Sequence, residues 1–311
     1  MSARAIDIAY VHLAVEDLDR LSEFIARFGM TSTRATTDDG RAVLYSSGTD
    51  GAPYQHVAEQ GENRFVGVAF EVERPEDLEA LAAVPGASEI EDIQAPGGGR
   101  RVRFTDPNGY EVSAIQGWQR TAPSAPQERP PINTGTARVR LREPVRLETR
   151  PSQVKRLGHC VLFVQDFRES EAWYKERFGF LTSDAIHAGP EENVIGAFMR
   201  CDRGDMPVDH HTLFLLQGPG TGMQHAAFEV HDWDDLMLGH DALEAGGYNH
   251  NWGIGKHILG SQVFDYWHDP FGNVMEHFTD GDLFDSTQAP GLMPIQSLLG
   301  VQWGARMQQP G

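Results

Sequence analysis

The chain has 311 residues, enough for two domains that each bury a core. With 40% hydrophobic and 23% charged residues its composition is that of a soluble globular protein. The formal net charge of −19 argues against nucleic acid or an anionic membrane surface as partner, and no apolar run approaches the ~20 residues of a membrane span.

The N-terminal stretch "MSARAIDIAYVHLAVEDLDR" places acidic residues where a secretion signal would be apolar. The two cysteines, Cys160 and Cys201, form no CxxC pair, so a reducing, cytoplasmic setting is expected. From residue 9 the run "AYVHLAVEDLDRLSEFIARFGM" reads as a strand, an acidic start and an amphipathic helix that closes on glycine. "FVGVAFEVERPEDLEAL" (65–81) is a second strand and helix. "VRFTDPNGYEVSA" (102–114) is a strand pair around an Asp-Pro-x-Gly turn.

Residues 118–144, rich in Pro, Ser, Thr and Arg, carry no apolar periodicity and predict a linker, bounded here as 121–152. The first pattern then returns. "GHCVLFVQDFRESEAWYKERFGF" (158–180) repeats 9–30, "MQHAAFEVHDWDDLMLG" (223–239) repeats 65–81, and "FDYWHDPFGNVMEHF" (264–278) repeats 102–114. Each half is therefore expected to hold tandem βαβββ modules, an α+β class with curved sheets. The predicted division is an N-terminal domain over 1–120, the linker, a C-terminal domain over 153–285, and a tail or lid over 286–311.

Chemistry is concentrated in the second half. Of 13 histidines, eleven lie between His159 and His277. Aligning the repeats puts His159 on Tyr10, His225 on Gly67 and Glu276 on Ser113, so the C-terminal half carries three candidate ligands that the N-terminal half lacks. Three neighbouring strands of a curved sheet can aim such side chains at one point. Two imidazoles and one carboxylate on one face of a metal leave open positions, a set that suits Fe(II) and dioxygen, with Mn(II) or Zn(II) as other occupants. A single strand histidine is usually structural, and His12 is read that way because positions 67 and 113 give it no partners. His231, His240, His268 and His277 are assigned to surface or structure.

The segments "GHCVLFVQDF", "DHHTLFLL", "MQHAAFEV" and "GKHILGSQVFDYWHDPFGNVMEHFTDGD" resemble the catalytic domain of the type I extradiol ring-cleavage dioxygenases, of the vicinal oxygen chelate superfamily. The spacing of His257, Tyr266 and Glu276, with eight and then nine residues between them, carries the resemblance most specifically. It implies that His159, His225 and Glu276 bind Fe(II), or occasionally Mn(II), with dioxygen as co-substrate. It implies that His210, first of the "HHTL" pair, faces the dioxygen site, with His211 as the substitute because adjacent strand residues face opposite ways. His257, expected to enter from a loop, and Tyr266 would hold the oxygens of a catechol. The implied reaction is meta cleavage to a 2-hydroxymuconic-semialdehyde type of product in aromatic catabolism, by a homo-oligomer, dimer or tetramer.

Family members acting on homoprotocatechuate carry an Asn and an Arg where this chain has Val161 and Trp252. The carboxylate clamp is thus missing, and Trp252 and His250 are expected at the pocket mouth. A neutral alkyl-, hydroxy- or bicyclic catechol is the expected substrate. The competing readings are a glyoxalase-like isomerase or a hydroxyphenylpyruvate-type dioxygenase on the same scaffold, a small-molecule sequestration protein, or an inactive scaffold.

Overall fold

The computed structural model describes residues 3–37, 39–125 and 131–306. Residues 126–130 of the expected linker and 307–311 of the expected tail lie outside the described residues.

The N-terminal half runs β1 (Ala5–Val15), α1 (Leu18–Phe28), β2 (Thr31–Thr36), β3 (Ala42–Ser47), β4 (His56–Gln60), β5 (Arg64–Val72), α2 (Pro75–Ala82), β6 (Glu91–Asp92), β7 (Arg100–Thr105) and β8 (Glu111–Gln116). The C-terminal half runs β9 (Val154–Val164), α3 (Phe167–Phe178), β10 (Leu181–His187), β11 (Val194–Arg200), β12 (Val208–Asp209), β13 (Leu213–Gln217), β14 (Gly222–Val230), α4 (Trp233–Ala245), β15 (Asn249–His257), β16 (Val263–His268) and β17 (Val274–Thr279). It ends with β18 (Leu283–Phe284), β19 (Gly291–Pro294), α5 (Ile295–Leu299) and β20 (Val301–Gly304).

Local sequence explains the helix ends. Asp17 accepts from the Asp19 and Arg20 amides and Asp166 from the Glu169 amide, which caps α1 and α3 at matching places of the repeat. Gly29 ends α1 in the left-handed region, and a Cβ there would also meet the Ser152 carbonyl oxygen at 2.1 Å.

Two sheets result, with strand orders β2-β3-β4-β1-β5-β8-β7-β6 and β19-β10-β11-β13-β9-β14-β17-β16-β15-β20. At the centre of the first, β1 runs parallel to β4 and antiparallel to β5, and β5 runs parallel to β8. Strands β13, β9, β14 and β17 repeat that arrangement in the second.

Apolar packing is continuous between the halves. Phe28 meets Phe228 edge-on and stacks on His277, whose Nε2–H donates to the Phe28 carbonyl at 2.7 Å. Phe70 lies against Phe178 and Phe180, and the Tyr110 hydroxyl donates to the Phe163 carbonyl at 2.8 Å. Between β8 and β9 the described residues form no helix or strand.

The end of the chain differs from the irregular tail expected. β19 pairs with β10 and β20 with β15, so residues 291–304 extend both edges of the C-terminal sheet, with α5 spanning between them. Two four-residue strands are too short to show a period. They form because edge strands offer unpaired backbone groups. Among the described residues no helix is long and apolar enough to cross a membrane.

Two histidines, His12 and His56, are expected to make the N-terminal half acid-sensitive, since burial lowers the pKa of each. His56 is fully buried, and neither ring nitrogen makes a hydrogen bond of good geometry among the described residues. Burial lowers its pKa from 6.5 to about 4. Between those values the unfolded chain binds a proton that the folded chain refuses, so stability is intact above pH 6.5 and falls as the pH drops towards 4. The expected loss is about 3 kcal/mol. His56→Leu should flatten the pH dependence of the urea midpoint over this window, and an unchanged slope would clear His56.

Candidate active site

The three candidate ligands lie on three adjacent strands. Ala227 on β14 pairs with His159 of β9 on one side and with Glu276 of β17 on the other, and His225 precedes Ala227 by two residues on the same face. The N-terminal sheet has the same register, with Tyr10 and Ser113 flanking Ala69 and Gly67 two residues earlier. A Cβ at Gly67 would meet the Glu111 carbonyl oxygen at 1.9 Å, so no side chain fits where the other half has His225.

His159 Nε2 and His225 Nε2 are 3.3 Å apart, and they stand 3.3 Å and 3.2 Å from Glu276 Oε2. Divalent metals bind such donors at roughly 2.0–2.2 Å, which spaces the donors about 3–3.5 Å from one another. Glu276 is fully buried, and among the described residues neither of its oxygens receives a hydrogen bond of good geometry. Burial opposes its charge, but the two imidazoles hold its pKa below the ordinary carboxylate range. A buried carboxylate so placed is costly without a cation, and the donor set fits a divalent ion. Gln224 Oε1 accepts from His225 Nδ1, which leaves Nε2 as the free lone pair.

A cavity of about 270 Å³ opens on this triangle. His159, Val161, His211, His225, His257 and Tyr266 line it, with Phe198, Phe214, Leu259 and Leu298 as apolar wall. Leu298 and Leu299 reach it from α5, so the end of the chain forms part of the wall. Neither lysine nor arginine lines it among the described residues. His257 is the last residue of β15, not a loop residue, and its Nε2 shares a 2.9 Å hydrogen bond with the Tyr266 hydroxyl. Burial pushes the His257 imidazole down to about 4, so it is neutral at pH 7. Burial, and then the Glu276 charge, push the Tyr266 phenol well above its usual range, so it keeps its proton.

Two expected site residues fall elsewhere. His210 does not face the cavity. Its Nε2 lies 2.8 Å from Asp184 Oδ2, its ring packs edge-on against Phe284, and its backbone is pinned by Asp282 and Ser183. His211 takes that position, its ring 3.9 Å from that of His159. Sequence alternation left one of the pair to choose, and the Asp184 carboxylate, 26 residues away, decides it.

His250 also leaves the pocket. The β15–β16 ladder is irregular between His250 and Trp252, which turns His250 to the outer face, where it meets Asp265 at 2.8 Å. Trp252 does line the cavity. It stacks on Tyr266 with ring centroids 5.5 Å apart, and its indole donates to the Ala305 carbonyl at 2.7 Å.

His210 Nδ1 and His211 Nδ1 are 3.1 Å apart. With Asp184 accepting from His210 Nε2–H, the tautomer that pairs the two rings has His210 accepting at Nδ1. His211 then donates from Nδ1 and keeps a bare Nε2. Burial holds the His211 pKa well below its usual value, so the ring is neutral. Sequence reasoning missed Asp184 and Gln224, which show no spacing signal of their own.

Residues 156–277 match the Glyoxalase/Bleomycin resistance protein/Dioxygenase superfamily. The chain is 28% identical to metapyrocatechase 2 of Cupriavidus necator over 301 residues, 96% of this chain and 88% of that one. Its fold is similar to that of the 2,3-dioxygenase LapB from Pseudomonas sp. KL28, with TM-score 0.76, 19% identity, and 95% and 99% of the two chains covered. It is similar also to a Mn(II)-bound glyoxalase from Novosphingobium aromaticivorans, with TM-score 0.74, 23% identity, and 94% and 88% covered. These likenesses establish a two-half vicinal oxygen chelate fold.

Proposed function

We propose that this chain, whose residues 156–277 carry a domain of the Glyoxalase/Bleomycin resistance protein/Dioxygenase superfamily, cleaves a catecholic ring with dioxygen beside its two hydroxyls, at a single Fe(II). The observation that carries the reading is the buried, unbonded Glu276 carboxylate closing a triangle with His159 and His225, open to a cavity that also holds His257, Tyr266 and His211. The relative in Cupriavidus necator, a metapyrocatechase, supports the same chemistry.

His159, His225 and Glu276 would hold a divalent metal, which would supply a Lewis acid that lowers the pKa of a catechol hydroxyl and a centre for dioxygen chemistry. Every other contribution comes from side chains. Neutral His257 is placed to take the proton of a substrate hydroxyl, and Tyr266 donates its own O–H to the anion that forms. His211 offers a bare Nε2 on the opposite side, able to accept a proton and return it as the ring opens. The aromatic and aliphatic walls exclude water and hold the ring. A substrate carboxylate would enter this cavity without a counter-charge, which favours catechols with neutral alkyl or aryl substituents.

Tyr266→Phe removes one hydrogen bond to a charged group, worth about 1.5–3 kcal/mol, and is expected to slow turnover by about 10- to 100-fold. Metal content should be unchanged. Equal kinetics across several catechols would exclude Tyr266 from the chemistry.

The test of the function is anaerobic loading with Fe(II) or Mn(II), followed by catechol, 3-methylcatechol and 2,3-dihydroxybiphenyl in air. Oxygen uptake with a rising yellow ring-opened product is expected. Bound metal with no oxygen uptake on any of them would turn the reading to an isomerase.

A further inference from the structure

A second group of metal-type donors lies on the outer face of the C-terminal sheet, where the chemistry above has no use for it. His240 projects from α4, His250 from β15 and Asp265 from β16, and one donor atom from each lies within 4.8 Å of the others. Asp265 is next to Tyr266 in sequence, so strand alternation puts it on the face away from the cavity.

We propose that His240, His250 and Asp265 form a second divalent-metal site, suited to Zn(II). This inference is independent of the proposed reaction. The donors are His240 Nδ1, His250 Nε2 and the two Asp265 oxygens, at 3.0 Å and 2.8 Å across the carboxylate. The two imidazoles are set nearly perpendicular, with centroids 5.2 Å apart, so that they converge on Asp265 from different sides. Two imidazoles and a carboxylate, with a water completing the set, suit a borderline ion.

Charge argues in the same direction. Asp265 is fully buried, yet neither lysine nor arginine forms an ion pair with it among the described residues. Its donors are the two imidazoles and the Trp267 indole, 2.6 Å away. None of these donors is a fixed cation. A divalent ion would supply that charge without a proton, and the Trp267 N–H would remain as the supporting hydrogen bond that orients the carboxylate. Access is open, since the His250 side chain is 33% exposed and that of His240 21%. Both imidazoles already hold their bonding geometry, so little ordering is needed.

Such an ion would tie α4 to β15 and β16, the strands that carry His257 and Tyr266 on the other face. The expected consequence is a thermal transition that rises with Zn(II) even when the first site is disabled.

Equilibrium dialysis of the full chain against Zn(II), followed by metal analysis, tests the site. Wild type should bind two equivalents, and His250→Ala and His240→Ala one each. Glu276→Gln should also bind one, and Glu276→Gln combined with His250→Ala none. The two histidine side chains are 21% and 33% exposed, and a circular dichroism spectrum of each variant checks that it is folded. One equivalent in wild type that both histidine variants retain, or two retained in both histidine variants, would overturn the second site. Two equivalents retained in Glu276→Gln would count against the first site alone, so failure of the two readings is distinguishable.

Discussion

Glu276→Gln is expected to abolish ring cleavage and to cut metal affinity by more than the roughly 10- to 100-fold typical of losing a supporting residue. The reason is electrostatic. Glu276 supplies the one negative charge in the triangle. Metal stabilises the wild type by mass action, about 2.7 kcal/mol at a hundredfold excess over Kd, and that increment should vanish in the variant. Thermal melts with and without Fe(II), read beside oxygen uptake, check both parts. A variant that keeps iron and turnover would remove Glu276 from the centre.

His211→Ala is expected to lower kcat by about 10²- to 10⁴-fold, the usual worth of a positioned proton carrier, with the metal retained. His210→Ala should cost roughly 10-fold, because His210 acts through the orientation and tautomer of its neighbour. The order of the two effects is the informative result. The structure predicts that the larger belongs to the ring beside His159, and the reverse order would return the proton-carrying role to His210. Metal content measured on both variants separates this effect from loss of the ion.

The repeat explains how much of this was legible. Tyr10, Ala69 and Ser113 share one register with His159, Ala227 and Glu276, and that correspondence was already present in the aligned segments. Helix ends were legible for the same local reason, since Asp17, Asp166, Gly29 and Gly179 act on backbone atoms within a few residues. The failures were non-local. His250 was misplaced because a ladder irregularity at Asn251 breaks the alternation that assigns strand faces. His210 was preferred over His211 because the deciding contact comes from Asp184. The end of the chain looked irregular because β19 and β20 borrow their pairing from β10 and β15.

By itself the sequence determined the tandem βαβββ plan and the three side chains that meet at its centre, because strand period and repeat register are properties of the chain alone. Only the tertiary structure decided which histidine turns inward, what closes the cavity and where a second cluster of donors forms. Those outcomes rest on carboxylates and sheet edges distant in sequence, whose pull on a side chain exists only once the fold has brought them within hydrogen-bond reach.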